Sequence, residues 1–536
     1  MNQLSTADTN ETAFGEIALS LSGGGYRAAS FHLGVLDLLH RLDLLQDVRV
    51  LSTVSGGTFT GMMHAVNASE GGDFQACYDK LYRFLGRTNV IEGALEGLSR
   101  TNGSAQPAMP SLIKSAAQVY ASEAMLGDRR FGQLMKGAGG LNDMAFNSVE
   151  FRTGNSFRFQ TSLSGTAIIG NGDLRVDKEV AAEIRLADIA AASSCFPSAF
   201  EPIRFPDDFA WPQGRSLASV RSDLGDSFKE CVPLMDGGIF DNQGIDSVEH
   251  IYQRVGKDGV DDVGLFIISD TSPRSENLFA FPVKNRKGWL TLGGVVRTAW
   301  ILFILSLITS ISLLLNGIQG FESDEVSVLR GVFLYVIPFI FSISISASLW
   351  WARHRLKNAL IGVRANANLA IWPHVRSLSV PEVLELVESR IKSLIVLTTS
   401  VFMKRVRNLG YKDINVYPKY QGKLCPNLIY GLNDSERFGA GVKARHLEPS
   451  EKLQALALEA ERVQTNLWFT EEETLQNLIA CGQATMCFNI MKYILDHKSL
   501  DLNAPTSIIS KTFTAAQTLW EDLKVNPKKL VRVPAQ

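Results

Sequence analysis

The stretch LSTVSGGTFTG, residues 51–61, places a serine where an apolar run meets a glycine-containing run. It approaches G-x-S-x-G, the pattern in which a sharp strand-to-helix turn exposes a nucleophilic serine. The glycine expected two places before Ser55 is Thr53, whose small β-branched side chain suits the end of a strand. The pattern therefore predicts a nucleophile turn at Ser55, followed by Gly56 and Gly57, despite the departure at Thr53.

Attack by a serine on an ester carbonyl also needs donors for the developing oxyanion. Gly56 would be the first residue of a helix, so its backbone N–H would point at the reacting centre. Three consecutive glycines at 23–25 let a second backbone segment approach closely, because no side chain intervenes. The G-x-G-x-x-A spacing that begins at Gly23 also fits a dinucleotide fingerprint, but the next strand ends in Ser55 and not in the acidic residue that holds a ribose. Dinucleotide binding is therefore disfavoured, and no cofactor is predicted.

The candidate base is an aspartate. Asp236 ends the apolar run VPLMD and precedes Gly237 and Gly238, so it would lie at a strand end within reach of the serine proton. An ordinary Asp-Gly turn is the alternative. A histidine would be the usual base, but the eight histidines offer little support: His32 falls inside one predicted helix and His250 inside another.

Strands that alternate with helices indicate an α/β fold with a largely parallel sheet. The predicted strands are EIALSLS (16–22), VRVLSTV (48–54), FRFQTSLSG, VPLMD (232–236), VGLFIISD and DINVYP. The three glycine turns fall at the carboxyl ends of such strands, where α/β proteins bind their ligands. This coincidence supports a site at that edge of the sheet.

The motifs SLSGGGYRAASFHLGVL, STVSGG, AASSCFPSAFEP and MDGGIFDNQG, in this order, resemble those of the patatin-like phospholipases. The resemblance covers about residues 14–275 and resumes around residues 390–490. It implies a patatin-like three-layer sandwich and a serine acyl hydrolase with a Ser/Asp dyad in place of a triad. The dyad would be Ser55 and Asp236.

The resemblance also implies roles for the residues around the dyad. Gly23, Gly24 and Gly25 would form the oxyanion loop together with Gly56. The supporting residues would be Arg27, Gly57, Gly237 and Gly238. Arg27 would either brace the loop or meet a lipid phosphate. The block at 191–202 would line the site, with Ser193, Ser194 and Cys195 in packing roles, and Asp241 and Asn242 would shape the turn after Asp236.

Two segments without charge interrupt this pattern, at 298–318 and 332–351. Each is long enough to cross a bilayer as a helix, and buried core helices are the alternative. Basic residues flank the two segments, at 284–287, 297 and 353–357. The connector between them, 319–331, carries three acidic residues and one arginine. The positive-inside rule then predicts a two-pass membrane hairpin with both termini and the catalytic domain in the cytoplasm.

Overall composition limits the remaining functions. The net charge of −2 gives no reason to expect nucleic acid as a partner. The six cysteines show no paired or metal-binding spacing, so no metal site is predicted and reduced thiols are expected. The polar, acidic N-terminus lacks the order of a signal peptide.

These observations predict four regions: a flexible arm at 1–13, a first catalytic part at 14–277, the juxtamembrane segments and hairpin at 278–360, and the remainder of the catalytic domain with C-terminal helices at 361–536. The predicted function is a membrane-anchored hydrolase of phospholipid or lysophospholipid acyl esters, with the lipid bilayer as its other partner. Two alternatives stay open. One is an acyltransferase with the same dyad, and the other is an inactive lipid-binding scaffold.

Overall fold

The computed structural model describes residues 12–101, 111–163, 167–197, 199–257, 263–274, 288–289, 291–320, 332–362, 377–498, 502, 504 and 506–535. The chain forms two compact units, Met1–Leu278 with Thr398–Gln536, and Phe279–Leu397. The first unit is thus built from two stretches of chain that flank the second. Residues 1–11 of the predicted N-terminal arm, the basic residues at 284–287 and residues 321–331 of the connector lie outside the described residues. Ala13, at the end of the predicted arm, is buried.

In the described part of the chain, ten strands form one sheet. They are β1 Glu16–Leu21, β2 Val48–Val54, β3 Asp143–Glu150, β4 Asn155–Ser162, β5 Ile169–Gly170, β6 Arg175–Val176, β7 Ile203–Phe205, β8 Val232–Asp236, β9 Val263–Asp270 and β10 Leu424–Leu428. The helices of the described residues fall into three groups along the chain. The first group is α1 Gly25–Arg41, α2 Gly56–Ser69, α3 Phe74–Arg87, α4 Val90–Thr101, α5 Leu112–Tyr120, α6 Lys178–Ala182, α7 Leu186–Ser194, α8 Leu217–Leu224, α9 Gly238–Asp241 and α10 Ile245–Lys257. The second is α11 Leu292–Gly320, α12 Ile337–Gly362 and α13 Val380–Val396, and the third is α14 Phe402–Val416, α15 Ala440–Ala444, α16 Glu451–Arg462, α17 Glu472–His497 and α18 Ile508–Val525.

The sheet is mixed, which corrects the expectation of a largely parallel one. The neighbours β10, β9, β1, β2 and β3 are parallel. Beyond β3 every pairing is antiparallel, including that of β8 with the end of β3. The physical reason is the short connection between β3 and β4, because a tight turn can join only antiparallel strands.

Both faces of the sheet are covered. Along β1, Ile17, Leu19 and Leu21 pack into one hydrophobic core, while Ala18 faces a second one that contains residues of α10 and α14. Alternate residues of a strand point to opposite faces, so this division places helices on each side. The α/β layering expected from the sequence is therefore observed.

Several predicted strands coincide with observed ones, and one is wrong. The predictions at 48–54 and 232–236 match β2 and β8 at both ends. The segment DINVYP is not a strand, since Asp413–Val416 end helix α14. Ile414 is the one buried residue of this helix, which fits a helix that touches the core once rather than a strand with alternating buried residues.

Helix α17 packs along α1 through glycines on both helices. A Cβ at Gly34 would clash with the backbone of Ile479, and a Cβ at Gly482 would clash with the backbone of Phe31. Among the described residues, α17 is the one helix long and apolar enough to span a membrane, but most of it is buried inside the protein. It is therefore a core helix that covers α1.

The second unit contains α11 and α12, which correspond to the two uncharged segments of the sequence and contact each other. Apolar side chains on both helices are exposed, for example Ile301, Leu305, Ile340 and Phe341. The apolar helical runs found in the described part of this unit are short, Gly293–Thr309 and Ile337–Ser348. The predicted two-span hairpin is thus not confirmed by helix length.

Candidate active site

Ser55 lies at the turn between β2 and α2. Its φ of 50° and ψ of −118° are strained for a residue with a side chain. The serine is 8% exposed, and its backbone N–H donates to Ser193 Oγ at 3.0 Å. The conformation is that of a sharp strand-to-helix turn, as expected of a residue that must present its hydroxyl at the edge of a sheet.

Thr53 fits this turn without displacing it. Its Oγ1 is 3.0 Å from Thr58 Oγ1, which is 2.8 Å from Ser193 Oγ. Three hydroxyl groups in contact therefore connect Thr53, through Thr58, to Ser193, whose Oγ accepts from the Ser55 N–H. Space for the Thr53 methyl group is provided by Gly61 on α2, because a Cβ at Gly61 would clash with that methyl group. Strand β2 and helix α2 therefore still approach closely, because Gly61 on the helix supplies the space that a glycine at position 53 would otherwise give.

The three-glycine loop lies against the same turn. A Cβ at Gly23 would be 3.1 Å from Ser55 Cβ, and a Cβ at Gly56 would clash with the Gly25 carbonyl oxygen. The φ values of Gly24 and Gly25, 142° and 56°, also favour glycine at these positions. Side chains are therefore excluded from both backbone segments beside the serine.

The backbone N–H groups of this loop differ in their availability. Gly23 N–H donates to the Asn242 carbonyl at 2.9 Å, so it is already used. For the N–H groups of Gly24, Gly25 and Gly56, no hydrogen-bond partner is found in the part of the chain that the structure describes. These three donors are available for an oxyanion, while Gly23 secures the loop to the turn after β8.

Asp236 ends β8 and is 2% exposed. Its Oδ1 accepts from Gly238 N–H at 2.7 Å, whereas its buried Oδ2 has no hydrogen-bond partner among the described residues. Burial raises the pKa of Asp236 to about 6, although the nearby Ser55 hydroxyl and the Gly238 amide act in the opposite direction. The carboxylate therefore has a free oxygen beside the serine and a proton affinity suited to a base near neutral pH.

The turn after Asp236 is fixed by close backbone contacts. Asp236 N–H donates to the Cys195 carbonyl at 3.0 Å. A Cβ at Gly237 would be 2.5 Å from the Asn147 carbonyl, and a Cβ at Gly238 would be 2.6 Å from Asn242 Oδ1. Both glycines thus allow the loop to pack tightly. Gly57 does the same on α2, where a Cβ would clash with the carbonyl oxygen that ends β1.

The end of α7 has a role that the sequence did not reveal. Ser193 Oγ holds the Ser55 amide and contacts Thr58 Oγ1, and its carbonyl accepts from Gly237 N–H at 3.4 Å. Ser193 therefore connects the turn at Ser55 to the turn after Asp236. Only the small polar run SSC gave a local sign of this, and packing was the role expected of it.

Arg27 braces the three-glycine loop. Its guanidinium is buried, donates to the Val463 carbonyl at 2.8 Å and approaches Gly24. Burial lowers the pKa of Arg27 to about 10, with Asp270 and Glu461 opposing the shift. Of the two roles left open by the sequence, this geometry favours bracing.

Neither histidine considered as a base is placed to act as one. His32 Nε2 donates to the Ser22 carbonyl at 3.0 Å, and its Nδ1 lies 3.0 Å from Ser269 Oγ. Burial lowers the pKa of His32 to about 4, so its ring is neutral. His250 has a 58% exposed side chain and lies beside Asp246. Both are structural or surface residues.

Residues 19–248 match the family model of patatin-like phospholipases. This range contains the glycine loop, Ser55 and Asp236. The match supports the resemblance seen in the sequence motifs over this part of the chain. A search of curated proteins finds no match.

Among solved structures, the human GIVD cytosolic phospholipase A2 in complex with methyl γ-linolenyl fluorophosphonate inhibitor and terbium chloride is 19% identical over 42% of this chain and 35% of its own, with a TM-score of 0.26. VipD from Legionella pneumophila is 10% identical over 98% of this chain and 93% of its own, also with a TM-score of 0.26. The aligned part spans about a third of the human enzyme. At these TM-scores neither similarity carries an argument about this chain.

Proposed function

We propose that this protein is a membrane-anchored serine acyl hydrolase of the phospholipase A or lysophospholipase type, with Ser55 as nucleophile and Asp236 as base. The observation that carries the proposal is the buried carboxylate of Asp236 beside the Ser55 hydroxyl, with its Oδ2 held by no other group among the described residues. A buried carboxylate oxygen without a partner is costly, and such groups are retained where they do chemistry.

The reaction follows from the groups present. Ser55 Oγ attacks the acyl carbonyl carbon while its proton passes to Asp236 Oδ2. The resulting oxyanion accepts hydrogen bonds from the free N–H groups of Gly24 or Gly25 and of Gly56. The C–O bond to the alcohol then breaks, and the alcohol leaves with the proton from Asp236. Water attacks the acyl-serine in the same way, which releases the fatty acid and restores both residues.

The membrane part of the proposal rests on the second unit. Segments 298–318 and 332–351 carry no charge, and their helices expose apolar side chains such as Trp300 and Trp351. Uncharged stretches of this length suit about 30 Å of hydrocarbon. Anchoring would keep the site at the lipid surface and raise the local concentration of substrate.

The test is labelling of the detergent-solubilised full chain with a fluorophosphonate probe. Wild type should label, and both Ser55→Ala and Asp236→Asn should lose most of the signal. Ser69→Ala, at the other end of α2, is the matched control and should label like wild type. A folded wild-type protein that stays unlabelled would overturn the proposal in favour of an inactive lipid-binding scaffold.

Anchoring is tested separately by alkaline extraction of membranes. The full chain should remain with the lipid, because hydrocarbon-spanning helices resist extraction whereas peripheral proteins are released. Release of the intact chain would refute the hairpin and leave the chemistry of Ser55 unaffected.

A further inference from the structure

A cavity of about 350 Å³ lies in the first unit against α14. Pro426 and Leu428 of β10 contribute to its wall, so it opens near the carboxyl ends of β9 and β10. Four of its ten lining residues are cationic and none is acidic. The four cations are Arg274, Lys404, Arg407 and Arg437.

Two of these cations form ion pairs with carboxylates that do not line the cavity. Arg407 Nε lies 2.8 Å from the fully buried carboxylate of Asp270. Arg274 Nη2 lies 2.7 Å from Asp434 Oδ1. These ion pairs fix both guanidinium groups, because each carboxylate is largely or wholly buried.

The other two cations carry excess charge. Neither Lys404 nor Arg437 has an acidic residue within ion-pair distance in the described part of the chain. Arg437 uses Nη2 to donate to the Pro426 carbonyl at 3.1 Å, while its buried Nη1 has no hydrogen-bond partner there. The cavity wall therefore carries about two uncompensated positive charges and an unused donor.

Aromatic residues hold the guanidinium groups in place. The guanidinium carbons of Arg274 and Arg407 each lie 5.9 Å from the centre of the Tyr430 ring. Arg407 also lies 5.8 Å from the centre of the Tyr411 ring and donates to Tyr430 Oη at 3.3 Å. Cations fixed on aromatic faces lose little further entropy when they bind an anion.

We propose that this cavity is an accessory binding site for a phosphate group. Planar guanidinium groups beside an ammonium suit a tetrahedral oxyanion that accepts several hydrogen bonds at once. Three strand spacings of about 4.8 Å, or about 14 Å in all, separate the axes of β2 and β10. Helix α14 also contacts the turn after Asp236, because a Cβ at Gly238 would lie 3.2 Å from Met403 Cε. The cavity thus lies on the catalytic side of the sheet but is lined by other residues than the proposed dyad, so phosphate binding is measured apart from labelling of Ser55.

The experiment measures binding to the full chain in detergent. Inorganic phosphate is titrated first, and mixed micelles with phosphatidylcholine or with phosphatidic acid follow. The variants are Lys404→Gln and Lys404→Gln/Arg437→Gln. Lys412→Gln, an exposed lysine of α14 outside the cavity, is the matched control.

Wild type and the Lys412 variant should bind phosphate or phosphatidic acid micelles alike. The double variant should bind at least tenfold more weakly, and the single variant should fall between them. Saturable binding of inorganic phosphate would identify a soluble phosphate compound as the ligand class, and binding of phosphatidic acid micelles alone would identify a lipid headgroup. No saturable binding of either ligand by wild type, or binding by the folded double variant that equals wild-type binding, would overturn the proposal. Ser55 labelling, measured in parallel, reports on the catalytic proposal independently.

Discussion

If Asp236 is the base, its raised pKa makes the reactivity of Ser55 depend on pH in a range where an ordinary aspartate would not. An aspartate with the usual pKa of 3.8 is more than nine-tenths ionised at pH 5, so labelling would barely change above that pH. With a pKa of about 6, the base is about one-tenth ionised at pH 5 and about nine-tenths ionised at pH 7. Because the base must be deprotonated to take the serine proton, the labelling rate should rise about tenfold over this interval.

The assay is the pseudo-first-order rate of fluorophosphonate labelling between pH 4.5 and 8. Asp241 is a necessary control, because burial also raises its pKa to about 6 and its carboxylate accepts from the N–H groups of Gln243 and Asp246. The variant Asp241→Asn should keep the inflection if Asp236 is the base. A flat profile between pH 5 and 7, or an inflection lost in Asp241→Asn, would refute the assignment of the base.

Three further predictions concern stability and the turn. Asp236→Asn should raise the free energy of unfolding by up to about 3 kcal/mol at pH 8 and leave it unchanged near pH 4. The reason is that the pKa of Asp236 is raised in the folded state, so wild type loses stability as the pH rises from 3.8 to about 6. Urea unfolding at both pH values measures the effect, and an equal effect at both would contradict the prediction. Gly56→Ala should abolish labelling because its methyl group has no room, whereas Gly172→Ala, with nothing within 4 Å, should label normally; labelling of Gly56→Ala would show that the backbone contact is dispensable. Thr53→Val should lower the free energy of unfolding by about 1 kcal/mol through the lost hydroxyl contact, and Thr53→Ser should restore it in the same urea assay, so equal stability of both variants would argue against the hydroxyl chain.

Local pattern was enough to locate the parts of the site. The strand ending at Val54, the turn at Ser55 and the Asp-Gly-Gly turn at Asp236 all stood out, because strand ends and glycine turns are written in short stretches of sequence. Whether these residues act as a dyad remains a prediction.

The connections between those parts were not readable. Ser193 meets Ser55 across 138 positions of chain, and no local pattern records such a contact. Gly61 compensates for Thr53 only because α2 folds back on β2, so the missing glycine looked like a defect when the turn was read alone. The order of the strands beyond β3 could not be predicted for a similar reason, since β8 pairs with β3 through a contact between residues distant in sequence.

The interruption of the first unit has a consequence for how the protein is made. During translation, β9 is complete at Asp270, but its neighbour β10 begins at Leu424 and the helix that covers α1 begins at Glu472. At about 5–20 residues per second, the ribosome needs roughly 10–40 s to synthesise the intervening stretch. The open edge of β9 has no partner from its own chain until β10 is made, and the face of α1 that α17 covers has none until the end of that interval. The nascent first half is therefore expected to need a chaperone to avoid aggregation before α17 is made.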